Sequence, residues 1–233
     1  MGLLQLKISR VLNVVGIYGK TLDQFPARMA FLHPDAAPAY VAAAKSLRLK
    51  VSDMFRTAEE SLRARAEKSG VQPPGYSAHN YGLAIDIATD AVLAATKLTK
   101  PNLDKEMEAF GWYCHRKDGK RGMEDWHYNY FGNRDEALPW VEACAKSTNR
   151  SSGIEAKIKA TFGDQLLLTP EEAQIALSKM RYYSGEIDGV FGRGSKESLM
   201  AFQRAWKLPV TGQLDARTER TLAYVSAEIV EVR

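Results

Sequence analysis

Cysteine is nearly absent from this sequence, with only Cys114 and Cys144 in 233 residues. The two lie too far apart for a Cys-x-x-Cys metal knuckle, and they neither demand nor exclude an oxidising compartment. No run is apolar enough to cross a bilayer, which excludes a spanning segment and leaves no membrane partner. The stretch Leu3 to Ile17 is broken by Lys7, Arg10 and Asn13, so an export signal is not expected. Lysine and arginine number 32 against 28 acidic residues, a net charge of +4. They are scattered rather than clustered, which leaves no basic stripe for nucleic acid. Histidine is also scarce, with four residues. His33 precedes Pro34 and reads as a loop residue, and His115 stands in no motif. His79 and His127 are different.

After Gly82 the residues alternate strictly: Leu83, Ile85 and Ile87 one way, Ala84, Asp86 and Ala88 the other. A period of two is a strand with one apolar side and a carboxylate on the opposite face. Asp86 between two alanines has open space around it, which suits a cleft floor. His79 stands just before the strand, in a loop softened by Gly82, where its imidazole can turn toward Asp86. Trp126 to Phe131 is a second strand, dense in aromatics. Its alternation predicts Trp126, Tyr128 and Tyr130 on the packed side and His127 with Asn129 toward the cleft. Two histidines and one aspartate are the three protein ligands that catalytic zinc prefers, with the fourth position open to water. Glu124 is then the general base toward that water, provided a bend near Asp125 brings it round to the side of His127. Asp125 is the competing carboxylate; its side chain should point away if His127 points in.

The pattern Ser77-x-His79-x-x-Gly82-x-Ala84-x-Asp86, followed by Glu124-x-Trp126-His127, resembles the zinc D-alanyl-D-alanine peptidases. That family includes vancomycin-resistance dipeptidases and carboxypeptidases and several phage endolysin peptidases. The resemblance implies His79, Asp86 and His127 as zinc ligands and Glu124 as catalytic base. It also implies Ser77 as a substrate-contacting serine and Arg56 as the arginine that steadies the carbonyl oxygen. The Trp126 position agrees with the family as well, and is expected to contact substrate.

Around these motifs, Asp35 is expected to cap a helix to about Leu47, followed by a strand from about Leu49 to Phe55. Thr57-Ala58-Glu59-Glu60 is a capping-box signature for a helix running to Gly70. A helix near Leu103 to Phe110 ends at Gly111. Trp112 to His115 and the His127 strand are expected to form a hairpin around Lys117-Asp118-Gly119-Lys120. A helix from about Glu136 to Ala145 should close the unit. Helices with short antiparallel strands imply an α+β domain. Ser147 to Gly153 is small, polar and unpatterned, the best linker candidate, and Ile154 to Asp164 is ambiguous or a connecting helix. The expected division is a zinc peptidase domain with a small antiparallel sheet over residues 1–146, a linker over 147–164, and an all-α three-helix domain over 165–233.

In that last domain Thr169-Pro170-Glu171-Glu172 combines an N-cap, a first-turn proline and a capping glutamate. Ala173, Ile175, Ala176, Leu177 and Met180 supply its apolar face. A second helix is expected from Ser195, burying Leu199, Phe202 and Trp206, and Asp215 should cap a third through Tyr224. Asp188-Gly189-x-Phe191-Gly192, then Phe202-Gln203, then Gly212, resemble the three-helix peptidoglycan-binding domain appended to many wall hydrolases. Ser195 departs from that family's usual threonine. The resemblance implies a ligand groove near the Asp188 to Gly192 loop.

Together the two resemblances imply a zinc peptidase acting on bacterial peptidoglycan, with Zn2+ as cofactor, as a monomer held on its polymer by the tail. An endolysin endopeptidase is expected, made in the cytoplasm without a signal peptide and acting on the wall after release. A D,D-carboxypeptidase or a non-catalytic wall-binding protein are the alternatives.

Overall fold

The computed structural model describes residues 4–5, 31–67, 71–114, 124–133, 135, 137, 152–163 and 167–230. The expected turn at Lys117 to Lys120, His115, Cys144 and residues 147–151 of the expected linker lie outside these. So does most of the Glu136 to Ala145 segment, although the Ala137 N–H donates to the Asn133 carbonyl in helical fashion at 2.8 Å. The chain divides into two compact units, Met1–Arg56 with Tyr81–Ile158, and Thr57–Asn80 with Lys159–Arg233. Among the described residues no helix is long and apolar enough to cross a membrane.

The first unit is the expected α+β layer. Strands β1 (Leu4–Gln5) and β2 (Phe31–Leu32) pair antiparallel. Helix α1 (Ala36–Leu47) follows. Its start is not capped as expected: the Asp35 carboxylate makes no cap hydrogen bond, and the His33 carbonyl accepts from the Ala36 and Ala37 N–H groups instead. Strand β3 (Val51–Asp53) is shorter than the expected Leu49 to Phe55. After it come β4 (Ala84–Ile87), α3 (Thr89–Thr96), α4 (Lys100–Ala109), β5 (Trp112–Cys114) and β6 (His127–Tyr130).

The four-stranded sheet runs β3-β4-β6-β5, with every pair antiparallel. The expected neighbour relation between the Trp112 and His127 strands is present. Val51, Ile85, Ile87, Tyr128 and Trp112 pack on one side with Leu103 and Met107 of α4 and with α1 in a single apolar core. Alternation does the sorting: a residue on that side is followed by one on the other. Trp126 does not join Tyr128 and Tyr130. It precedes β6, inside a turn, and is 40% exposed.

The second unit is helical. Helix α2 (Ala58–Glu67) opens with the expected capping box. The Glu60 N–H donates to Thr57 Oγ1 at 3.2 Å and the Thr57 N–H to Glu60 Oε2 at 3.0 Å. Helix α5 (Ser152–Phe162), whose first seven residues belong to the first unit, already includes Ser152 and Gly153, which composition assigns to the linker. Helix α6 (Pro170–Lys179) carries a second capping box through Thr169 and Glu172. Helix α7 (Arg193–Ala205) begins two residues before the expected Ser195, with Gly192 at the cap. Asp215 caps α8 (Ala216–Val230) through the Thr218 N–H at 2.9 Å, and that helix runs past Tyr224.

The three-helix core holds Ala173, Ala176, Leu177, Leu199, Phe202 and Leu222. Ile175 is only half-buried, and the buried place beside it belongs to Gln174. Gln174 donates to Asp188 Oδ1, the Val190 carbonyl and Ser195 Oγ, and accepts from the Asp188 and Gly189 N–H groups. Ser195 is therefore a buried partner of Gln174 and not a helix cap. Gln203 repeats the device, donating to Thr211, Thr218 and the Gln213 carbonyl and accepting from the Thr211 and Gly212 N–H groups. Each amide satisfies loop groups that would otherwise be buried without partners.

Gly82 lies between the two segments of the first motif, at a φ of +64°. A Cβ there would stand 2.6 Å from the His33 nitrogen and 2.9 Å from Leu32 backbone atoms. Gly82→Ala is therefore expected to cost on the order of 2 kcal/mol or more, combining left-handed strain with the clash. Thermal unfolding should show a midpoint lower by about 4 °C or more. An unchanged midpoint would mean that the loop has room the geometry denies.

Candidate metal centre

Register decides what meets what. Across β4 and β6 the partners are Ala84 with Asn129, Ile85 with Tyr128, and Asp86 with His127. Ile85 and Tyr128 enter the core, so Asp86, His127, Ala84 and Asn129 share the opposite face. The third donor comes from a single 3-10 turn, Ala78–Tyr81, just before β4. One ligand atom from each of His79, Asp86 and His127 lies within 4.8 Å of the other two. His127 Nδ1 is 2.8 Å from Asp86 Oδ1. His79 is buried, and the other two are half-buried. Two imidazoles and one carboxylate, converging with a side left over for solvent, fit a catalytic metal with an open position.

Asn129 completes the set. Its Oδ1 lies 3.0 Å from His127 Nε2. An amide oxygen only accepts, so Nε2 carries the hydrogen and Nδ1 is directed at Asp86. Burial alone would lower the His127 pKa. The hydrogen bond and charge of Asp86 outweigh it, with Glu124 and Asn129 adding, so the imidazole titrates above its ordinary value. Metal binding at this nitrogen would compete with its protonation.

The two carboxylates act on different neighbours. Glu124 has a left-handed φ of 59°, and its carbonyl accepts from the His127 N–H at 3.1 Å. That turn is the bend a straight strand lacks, centred one residue earlier than expected. The charge of Glu124 acts on His127. The charge of Asp125 acts on Tyr128, whose pKa rises through burial first, then Asp104, with Cys114 and Asp125 contributing. Tyr128 donates to Asp104 Oδ1 at 2.6 Å on the core side. The Asp125 charge is thus felt at Tyr128.

Arg56 follows β3 and donates through Nε to Asp53 Oδ2 at 3.1 Å, with Nη2 on the same oxygen. Asp53 is fully buried and is the register partner of Asp86, across an irregularity between Val51 and Asp53. That irregularity takes Asp53 out of step with Val51, which faces the core, and aligns it with the ligand strand. Ser77 is not a free hydroxyl: its Oγ accepts from the His79 N–H at 3.4 Å at the head of the 3-10 turn. Trp126 is exposed beside Glu124 in the chain. Sequence reasoning passed over Asp53 altogether and left Asn129 without a role, although its place two residues after His127 on the polar face was the available signal.

Residues 42–133 match a family model described as D-alanyl-D-alanine carboxypeptidase, VanY. Residues 170–222 match a model described as a putative peptidoglycan binding domain. Among solved structures, a mutant of the vancomycin resistance D,D-pentapeptidase VanY from a VanB-type cassette, in complex with Zn(II), is 23% identical with a TM-score of 0.38. That similarity covers 50% of this chain and 77% of the other. The putative OxPP cycle protein OpcA of Nostoc punctiforme is 31% identical over 84 residues, 36% of this chain and 17% of that protein. This chain thus spans only a small part of that relative. The carboxypeptidase-family stretch contains every residue of the candidate centre, from Arg56 through His79 and Asp86 to Asn129.

Asn129→Ala should loosen the metal about 10–100-fold, the usual worth of a partner that orients a ligating histidine. Competition against a chromophoric chelator, with zinc as probe, measures this directly. Wild-type affinity in the variant would refute the assigned His127 orientation.

Proposed function

We propose that the protein is a zinc peptidase that cuts within the peptide portion of bacterial peptidoglycan and is held on that polymer by its C-terminal helices. The observation that carries the reading is the convergence of His79, Asp86 and His127, with the charge of Glu124 acting on His127. A non-catalytic wall-binding protein has no use for that fourth group. The peptidoglycan-binding match over residues 170–222 supports the polymer as substrate. The exposed Val190, at 65%, and Ile187, at 41%, flank the Asp188 loop and offer an apolar contact there.

Zinc held by His79, Asp86 and His127 would supply Lewis acidity, bringing the pKa of a water to about 7. Glu124 would accept a proton from the water that attacks the scissile carbonyl and return it to the leaving amine. The Arg56 guanidinium, fixed by Asp53, faces the charge that develops on the carbonyl oxygen. Ser77 and the exposed Trp126 are the proposed substrate contacts. Asn129 keeps the His127 ring from turning during these steps.

Two arguments favour an internal bond over a terminal one. A tail that binds insoluble polymer raises the local concentration of polymer, not of soluble precursor. Lysis, the role of an endolysin, also requires that cleavage disconnect the network. The second reading, D,D-carboxypeptidase, is favoured by the family model that matches residues 42–133. Digestion of purified sacculi separates them: the first reading expects falling turbidity and new amino termini, with no new reducing sugar ends. Free D-alanine at constant turbidity would move the assignment to carboxypeptidase.

Glu124→Gln should keep the metal and lose about a hundredfold or more in rate, the worth of a positioned acid–base group. Asp125→Asn should stay near wild type. A larger loss at Asp125 than at Glu124 would reverse the assignment of the base.

A further inference from the structure

Helix α8 presents Arg220, Thr221 and Tyr224 at spacings that place them on one face. Each donates to a backbone carbonyl of the segment leading to His79. Arg220 Nε reaches the Gly75 carbonyl at 2.6 Å, Thr221 Oγ1 the Pro74 carbonyl at 3.1 Å, and Tyr224 Oη the Asn80 carbonyl at 3.0 Å. In return, Tyr76 Oη donates to the Ala216 carbonyl at 3.1 Å, and the Arg220 guanidinium lies 4.1 Å from the centre of the Tyr76 ring. Gly75, at a φ of +84°, is the point of closest approach. A Cβ there would stand 3.0 Å from Tyr224 Cβ and 3.2 Å from the Arg220 carbonyl oxygen. All three α8 side chains belong to buried residues.

The segment they grip is closed on itself. Asn80 Oδ1 accepts from the Gly75 N–H at 3.1 Å and the Ser77 N–H at 3.2 Å, and Asn80 Nδ2 donates to Ser61 Oγ of α2 at 2.8 Å. His79 sits inside this loop, one peptide bond before the carbonyl that Tyr224 holds. Ser77, which meets the His79 N–H, is inside it as well. A metal ligand is useful only when its backbone is held to a few tenths of an ångström. Here the restraint comes from a helix about 140 residues later in the chain, as the sequence separation of the bonded residues shows.

We propose that Tyr224, Thr221 and Arg220 are positioning residues for the metal ligand His79, so that the C-terminal helices set metal affinity as well as wall attachment. The inference rests on the zinc-peptidase reading. None of the three touches the metal or the substrate. They act by fixing the backbone on either side of His79, and a hydroxyl-to-carbonyl bond in a buried place is worth most when its loss leaves the carbonyl unmet.

Full-length Tyr224→Phe and Thr221→Val remove one hydroxyl each while keeping the side-chain volume close to that of the original. Zinc affinity by chelator competition should fall about fivefold or more in each, the scale of one buried hydrogen bond, and further in the double variant. Sedimentation with purified sacculi should be unchanged, since these residues face the loop. Activity lost at limiting zinc should return at excess zinc, which a general loss of fold would not allow. Wild-type zinc affinity in both single variants and in the double variant would overturn the inference alone. A wild-type chain that takes up no zinc would overturn the metal-site reading and this inference with it.

Discussion

The antiparallel register between β4 and β6 is the constraint on which the metal centre depends. It places Asp86 opposite His127 and Ala84 opposite Asn129. Cross-strand partners point to the same face, so the two ligands meet over a small residue that leaves room for a third. A slip of one residue would send Asp86 into the apolar core and lift Ile85 into the cleft. The core therefore selects the chemistry: burying Ile85, Ile87 and Tyr128 on one side obliges the polar set to gather on the other. The same register extends to β3, where Asp53 lines up with Asp86 and anchors Arg56.

That row of Asp53, Asp86 and His127 is charged, and its balance explains the state of the site without metal. Asp53 is matched by Arg56. Asp86 is matched by a His127 whose imidazole is lifted toward protonation by Asp86 itself. Glu124 adds a further negative charge on the same side, from a turn outside the strand. A divalent cation held by His79, Asp86 and His127 would offset the negative charge of Asp86 and of Glu124 there.

The C-terminal helices solve a related problem with neutral groups. Gln174 and Gln203 are buried amides that each hold a loop by its backbone, at Asp188–Gly189 and at Thr211–Gly212. Helix α8 does the same for Pro74 to Asn80 with a guanidinium and two hydroxyls. Loops thus stay defined because buried donors and acceptors are paired, and an unpaired one would cost more than the bond itself contributes.

Features that depend on residues within a few positions of one another were legible in the chain. The capping boxes at Thr57 and Thr169 and the Asp215 cap are such features, because each bond spans two or three residues. The alternation that put Asp86 and His127 on polar faces is another, since a strand's period is local. The family motifs implied that those two faces belong to one centre. Local pattern failed at element boundaries. Alternation assigned Trp126 to the core, but the turn at Glu124 ended the strand after Trp126 and left its ring exposed. Composition made Ser152 and Gly153 a linker, and both are helical. Which nitrogen of His127 faces the centre, why Asp53 matters, and what holds the backbone beside His79 were decided only by the tertiary structure. Each depends on atoms that lie far apart in sequence or on a register that no single segment encodes.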